Sequence, residues 1–448
     1  MSDPEKEQTL TTAVARLWPE LPALVTGDWE AFESAVLDGL RRISAAEADL
    51  ADAVDDEAAD LAQADLDDAV RDLPKVFKPY PEAARRLNRL WTEALTDTRD
   101  TRGTETTGPA GSVRNHRYLE VPVFYATDRR PAPVAGDRDG GGYYTGEAAD
   151  ELSFGVLRVS IPDRRRRGRL PKPRLWHLGF NPRRFVEVIG GDPLDETAFF
   201  ADPRLALPDA GPPGPADVAD QRDVLLFVHG YNVTFTDAVR RAAQLAYDIN
   251  FLGIPMLYSW PSKGMTPGYV ADRENAYASV DHLVTFLESV IARLGPRRIH
   301  VIAHSMGNHV LVEALQLLGR TQNPRLGHVV MVAPDVSEQM FKRRAAVFAA
   351  LAARCTVYAS ARDRALQLSE WLSGNLRAGQ TTPQATPAAT VDTIDASNIP
   401  GDLLNHSTFA QNQRFLDDIE SLVRLGHPPE KRPGLRRGPA SPYWVFEA

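Results

Sequence analysis

A single cysteine, Cys355, stands among 448 residues, which excludes an internal disulfide framework and any metal site built from several thiolates. Long apolar runs are also missing. The run at residues 345–353 is short and flanked by Arg344 and Arg354, well below the roughly 20 residues that cross a bilayer. The first seven residues, Met1 to Glu7, have neither the basic nor the apolar region of a secretory leader. A cytoplasmic chain without a transmembrane segment is the expectation. Basic clusters are scarce too. Arg164 to Arg167 form a short run without interleaved aromatic residues or a second cluster nearby, which reads as a solvated hairpin tip and not as a nucleic-acid surface. Gly140 to Gly142 lack the Lys-Ser/Thr that follows a phosphate-binding loop, and His304 and His309 form no H-E-x-x-H arrangement. No cofactor and no metal are expected.

What the sequence does contain is enough apolar material for a sizeable core: 43% hydrophobic residues against 25% charged. The length suggests two domains. The net charge of −9 is concentrated in one place. Ten acidic residues and no Lys or Arg lie between Glu47 and Asp68, and the rest of the chain is close to neutral. Residues 1–100 read as an acidic, helical N-terminal region. After Gly27-Asp28, an N-cap signal, Trp29, Phe32, Val36, Leu40 and Ile43 recur on one helix face. Leu50, Val54, Leu61 and Val70 continue the pattern, and a further helix is expected near residues 83–95. Such helices present either a solvated face or a surface for a protein partner. Residues 101–117 have the composition of a hydrophilic linker.

Residues 118–448 change character and alternate between strands and helices. Val121 to Ala126 is a strand, and Phe154 to Ile161 with Arg184 to Ile189 forms a strand pair. Val224 to Val228 is a continuous apolar run, as a strand buried on both faces requires. A helix from Thr236 to Asn250 and a strand from Met256 to Ser259 follow. Next come a helix carrying the stripe Val280 to Leu294, a strand Ile299 to Ala303, and a helix Met306 to Leu318 closed by Gly319. Strands Val329 to Ala333, Thr356 to Ala359 and Val391 to Asp395 follow, with a helix from Gln339 to Ala353 among them. A helix from Thr408 to Leu425 is the last regular element. This order predicts an α/β fold, a mostly parallel sheet with helices on both faces.

Ser305 sits where the strand Ile299 to Ala303 turns into a helix. A nucleophile elbow needs that turn, together with small residues two before and two after the serine. Here these are Ala303 and Gly307. Upstream, Phe227-Val-His-Gly-Tyr-Asn232 directly follows another buried strand, where a loop can offer a backbone N–H to a developing oxyanion. Tyr231 (or Asn232) and Met306 are the expected oxyanion-hole donors. His229 precedes the nucleophile in the chain and reads as a loop-stabilising residue. A serine hydroxyl needs a base, and the base an orienting acid. Of the histidines after Ser305, His309 lies inside the nucleophile helix, His328 enters a strand and His427 follows the final helix. His406 alone lies in a loop between the last strand and the last helix. For the acid, Asp363 follows the strand ending at Ala359, and Asp335 follows the preceding one. Asp363 is preferred, with Asp335 as the alternative.

Several segments together resemble a bacterial α/β-hydrolase family catalogued as a domain of unknown function. They are Phe124-Tyr-Ala-Thr-Asp-Arg129, the H-G-Y-N loop, Tyr258-Ser-Trp-Pro-Ser262, Asp272-Arg-Glu-Asn-Ala276, Ala303-His-Ser-Met-Gly-Asn308, Ala333-Pro-Asp335 and Tyr358-Ala-Ser-Ala-Arg-Asp363. The resemblance spans roughly residues 119–424. It implies the α/β-hydrolase fold and an esterase-like hydrolase with Ser305, Asp363 and His406 as triad. It implies no particular substrate. The expected activity is cleavage of small-molecule or lipid-like carboxylic esters through an acyl-enzyme. The rivals are an acyltransferase, lipase or thioesterase on the same triad, and an interaction or effector protein recruited through residues 1–100. Trp260, Tyr269 and Arg273 fall in what reads as a long loop after a strand, where they either line the substrate pocket, as does His304, or pack the loop.

Overall fold

The computed structural model describes residues 17–52, 76–86, 108–132, 143–170, 182–206, 221–399 and 412–447, apart from single positions and short stretches within them, among these 18–20, 265–267, 322–325, 371–373 and 382–387. Compactness divides the chain into two units, residues 1–103 with 171–185, and residues 104–170 with 186–448.

In the first unit, Leu21–Leu24 (α1) and Trp29–Asp52 (α2) are helical. The Asp28 carboxylate accepts the Ala31 N–H at 3.0 Å, the N-cap contact that the Gly27-Asp28 signal implied. Phe32 and Val36, one helical turn apart, are buried. The Phe32 ring meets Phe77 and Tyr80 edge-on at 5.3 and 5.0 Å. The acidic run beyond Asp52, and the helix expected over 83–95 beyond residue 86, lie outside the described residues.

The second unit is built on a 12-stranded sheet. Its strands are β1 (Val113–Arg114), β2 (Tyr118–Pro131), β3 (Tyr144–Pro162), β4 (Glu187–Leu194), β5 (Val224–Val228), β6 (Ile254–Ser259), β7 (Ile299–His304), β8 (Leu326–Val332), β9 (Ala352–Ala359), β10 (Asp392–Asp395), β11 (Leu435–Arg437) and β12 (Trp444–Phe446). Their order is β11-β12-β10-β9-β8-β7-β5-β6-β2-β3-β4, with β1 paired to β2. From β2 through β6, β5, β7, β8, β9 and β10 to β12 the pairings are parallel. The β2–β3, β3–β4, β1–β2 and β11–β12 pairs are antiparallel.

Parallel strands need crossovers, and here helices supply them: α4 (Phe235–Asp248), α5 (Tyr269–Ala278), α6 (Val280–Leu294), α7 (Gly307–Thr321), α8 (Glu338–Leu351) and α9 (Gln413–Leu425), with a short α3 (Glu196–Phe200) before β5. The helices cover both faces. Leu225 and Phe227 of β5 join one core with α4 and α9 residues such as Val239 and Ile419. Val224, Leu226 and Val228 of the same strand join another with α6, α7 and α8 residues such as Leu287, Val310 and Phe341. This alternation explains why β5 is apolar throughout. The fold is that of an α/β hydrolase. Among the described residues no helix is long and apolar enough to cross a membrane.

Four local expectations change. Tyr269 and Arg273 stand on a helix, α5, and not in a loop; prolines and a polar composition concealed it. Gly319 does not end α7, which runs on to Thr321. A Cβ at Gly319 would come within 3.0 Å of Val347 Cγ1 on α8, so this glycine allows two helices to pack closely. After α9 the chain adds β11 and β12, strands of three residues each. Finally, two members of the arginine run, Arg165 and Arg167, pair within the fold. The Arg165 side chain, 4% exposed, pairs with Asp248 of α4. Arg167 reaches Asp417 and Glu420 of α9 and donates to the Asp248 carbonyl. Both charges are spent inside the fold.

Candidate active site

Because β5 to β10 run parallel, every loop that follows them leaves the sheet at the same edge. The strand order reverses at β5: α4 leads to β6 on one side, and β7 lies on the other. Ligands in open α/β sheets bind at such a reversal, outside the carboxyl ends of the strands. The loops after β5 and β7 meet there.

Ser305, directly after β7, has φ +49°, a left-handed conformation that a non-glycine residue holds only when its surroundings fix it. They do. The Ser305 N–H donates to Val332 O at 2.9 Å, and its carbonyl accepts the N–H groups of Asn308 and Asp335 at 3.1 and 3.3 Å. Asn308 Nδ2 lies 3.1 Å from Ser305 O and 3.3 Å from both Ala303 O and Val332 O. The elbow is thereby tied to β7 and β8. Met306 is wholly buried, which fixes its backbone. It precedes the first residue of α7, where helix geometry leaves N–H groups without an intrahelical acceptor.

The H-G-Y-N loop lies directly against this elbow. A Cβ at Gly230 would stand 3.0 Å from Ser305 Cβ, 3.0 Å from His304 O and 2.7 Å from His304 Nδ1. Glycine permits this approach of the loop backbone to Ser305. Tyr231 follows, its ring edge-on to Tyr269 at 5.5 Å. His304 is itself buried.

Beneath the loop is a polar network that the sequence signalled only as the segment ending in Arg129. The buried Arg129 guanidinium uses all five donors. Its Nε–H goes to Ser259 Oγ (2.9 Å), one Nη to Thr145 O and Ser262 O (3.2 and 2.9 Å), and the other to Val233 O and His229 Nε2 (2.9 and 3.2 Å). Since Gly230 O can only accept, His229 Nδ1 carries the proton that binds it at 2.8 Å, and Nε2 accepts. Burial, with Arg129 adding to it, pushes the His229 pKa down to about 3. A neutral imidazole whose lone pair faces Arg129 and whose N–H binds Gly230 O holds the loop. Trp260, fully buried, stacks on His229 at 5.1 Å and donates its Nε1–H to His229 O at 2.7 Å. Its place is loop packing. Asp272 completes the frame, accepting Ser262 Oγ–H at 2.6 Å and Lys263 N–H at 2.8 Å.

The two candidate acids are both buried and hydrogen-bonded. Asp335 is engaged on both oxygens: Oδ1 takes Ser369 Oγ–H at 2.6 Å and pairs with Arg377 Nε at 3.2 Å, while Oδ2 takes Tyr269 O–H at 2.7 Å. Burial raises its pKa, with Arg377 opposing. Asp363 is also buried, and its Oδ1 accepts the Leu366 N–H at 3.0 Å. His406 lies outside the described residues, within the connection from β10 to α9. The other three histidines are described. His328 packs against His300 near the start of β7 and β8, at the sheet edge opposite the elbow. His427 Nδ1 meets Ser421 Oγ at 3.0 Å behind α9. His309, in the first turn of α7, is buried against Tyr277. Arg273 and Tyr277 share one face of α5.

A mostly parallel sheet with the Ser305 turn and the neighbouring glycine loop at the point of strand reversal is the arrangement of the α/β-hydrolase class. Within that class, the family described as "Alpha/beta hydrolase of unknown function (DUF900)" matches residues 216–423, which span β5 to α9. That match supports a hydrolase-type function. No curated protein matches the chain.

Proposed function

We propose that the chain is a serine hydrolase that cleaves carboxylic esters through an acyl-enzyme. The observation that carries this reading is the strained Ser305 elbow pressed against the Gly230 loop. A left-handed serine costs about 1–3 kcal/mol, and a framework of hydrogen bonds maintains it.

In this mechanism Ser305 Oγ attacks the ester carbonyl while His406 takes its proton. The Met306 and Tyr231 N–H groups hold the oxyanion. Collapse expels the alcohol, which leaves with the proton from His406. Water then attacks the acyl-enzyme with His406 again as base, releasing the acid and restoring Ser305. Asp363 orients the imidazole throughout. Asp363 is preferred over Asp335 because Ser369, Tyr269 and Arg377 already occupy the Asp335 oxygens. The three described histidines after Ser305 sit behind the sheet edge, behind α9 or inside α7, which favours His406 as base. The test compares His406→Ala with His427→Ala under a fluorophosphonate probe. His406→Ala should lose labelling by about a thousand-fold or more, and His427→Ala should label like the parent. Equal labelling in the two variants would remove His406 from the mechanism.

A further inference from the structure

A recess of about 380 Å³ opens between α5, the first turn of α7 and the start of α8. Arg273 and Tyr277 of α5, His309 of α7, Ser337 and Met340 at the start of α8, and Asn375 and Arg377 line it. Met340 is the one apolar member. Both cationic residues among these are arginines, and no acidic side chain among the described residues lines the recess. The nearby carboxylates are already matched, Asp335 by Arg377 at 3.2 Å and Glu313 by Arg344 at 2.8 Å. Arg273 makes no ion pair with a described residue and is exposed.

The feature that points to a ligand is His309. It is 2% exposed, and neither ring nitrogen has a hydrogen-bond partner among the described residues. A buried imidazole without partners costs free energy, and an anion beside it would accept its N–H. The cations already bear on this ring: burial first, then Arg377 and Arg273, push its pKa down to about 3. The first turn of α8 adds the positive end of a helix dipole.

We propose that this recess binds the anionic group, a carboxylate or a phosphate, of the ester that Ser305 attacks. Arg273 pairs with its oxygens, Arg377 adds its charge from beside Asp335, and His309, Tyr277 and Ser337 supply hydrogen bonds. His309 stands in the first turn of α7, the helix that follows Ser305, so the recess opens at the same edge of the sheet as the proposed nucleophile. The assignment of a substrate class rests on the serine-hydrolase reading; the anion site itself does not.

The test therefore has two arms. In the first, inorganic phosphate and, separately, acetate are titrated calorimetrically into the full chain carrying Ser305→Ala, at constant ionic strength in chloride. Saturable one-to-one binding of at least one anion is expected, weakened about ten-fold or more by Arg273→Gln and by His309→Gln; which anion binds tells phosphate from carboxylate. Binding of neither anion, or binding that both variants leave unchanged, overturns the site. The exposed Arg273 keeps the test valid if His309→Gln fails to fold. In the second arm, the ratio of kcat/KM for a carboxylate-bearing ester to that for its neutral analogue should fall about ten-fold in Arg273→Gln. An unchanged ratio overturns the substrate assignment. Anion binding without any Ser305-dependent hydrolysis would refute the hydrolase reading and leave the anion site standing.

Discussion

Gly230→Ala is the perturbation that bears most directly on how Ser305 meets the loop proposed to hold the oxyanion. The backbone at Gly230 is not left-handed, so alanine brings no conformational strain and the effect is one of contact. The added methyl would stand 3.0 Å from Ser305 Cβ and 2.7 Å from His304 Nδ1. Ordinary carbon contacts lie at about 3.5–4.0 Å, so loop or elbow must retreat by roughly 0.5–1 Å. Neither yields easily, because Arg129, Trp260 and Asp272 pin the loop while Val332, Asn308 and Asp335 pin the elbow. Overpacking of this kind costs about 1–3 kcal/mol of stability. A donor displaced by about 1 Å costs on the order of a hundred-fold in rate. Fluorophosphonate labelling rates and thermal unfolding, measured on the same preparation, separate the two effects. Gly319→Ala is the control. It meets Val347 Cγ1 at 3.0 Å, but this is a movable side chain, and the gain in helix propensity of about 1 kcal/mol offsets the crowding. It should label at the parental rate. A Gly230→Ala protein that is folded and equally fast would refute the apposition of loop and nucleophile as the basis of activity.

Two further predictions concern the acids and the buried histidine. Asp363→Asn should lower the labelling rate by about 10³–10⁴-fold with little change in Tm. Asp335→Asn should appear mainly as a stability loss of about 3 kcal/mol, since it leaves Arg377 buried without its charge partner. The reverse pattern would exchange the two roles. For His229, the folded pKa of about 3 lies below the unfolded value of about 6.5. Its contribution is therefore complete above pH 6.5 and is lost as pH falls toward 3, with a slope approaching about 1.4 kcal/mol per pH unit. Urea unfolding of the parent and of His229→Gln between pH 7 and 4 should converge at that rate. Parallel curves would show that His229 titrates normally.

What could be read from the sequence was what depends on neighbours along the chain. Val224 to Val228 is apolar throughout because both faces of β5 are covered, and the run alone is enough to place it. Ser305 declares itself through Ala303 and Gly307, small residues that a strand-to-helix turn needs. Relations across the chain were hidden. Arg129 serves His229, Ser259 and Val233, the farthest more than a hundred positions away, and nothing local marks it as the keystone of a loop. Arg165 and Arg167 read as solvated because Asp248, Asp417 and Glu420 are distant in sequence. The helix α5 escaped because its exposed face and flanking prolines blur the apolar period, and with it went the recess that Arg273 and Tyr277 share with His309. The strand β12 is too short to signal itself and forms through its pairing with β10.

The central claim is that Ser305 is the nucleophile, and the most direct measurement is the intact mass of the full chain after treatment with a fluorophosphonate. The account predicts one adduct per chain, located on the peptide that contains Ser305, and none in Ser305→Ala. An adduct that persists in Ser305→Ala, or one mapped to another residue, would contradict it.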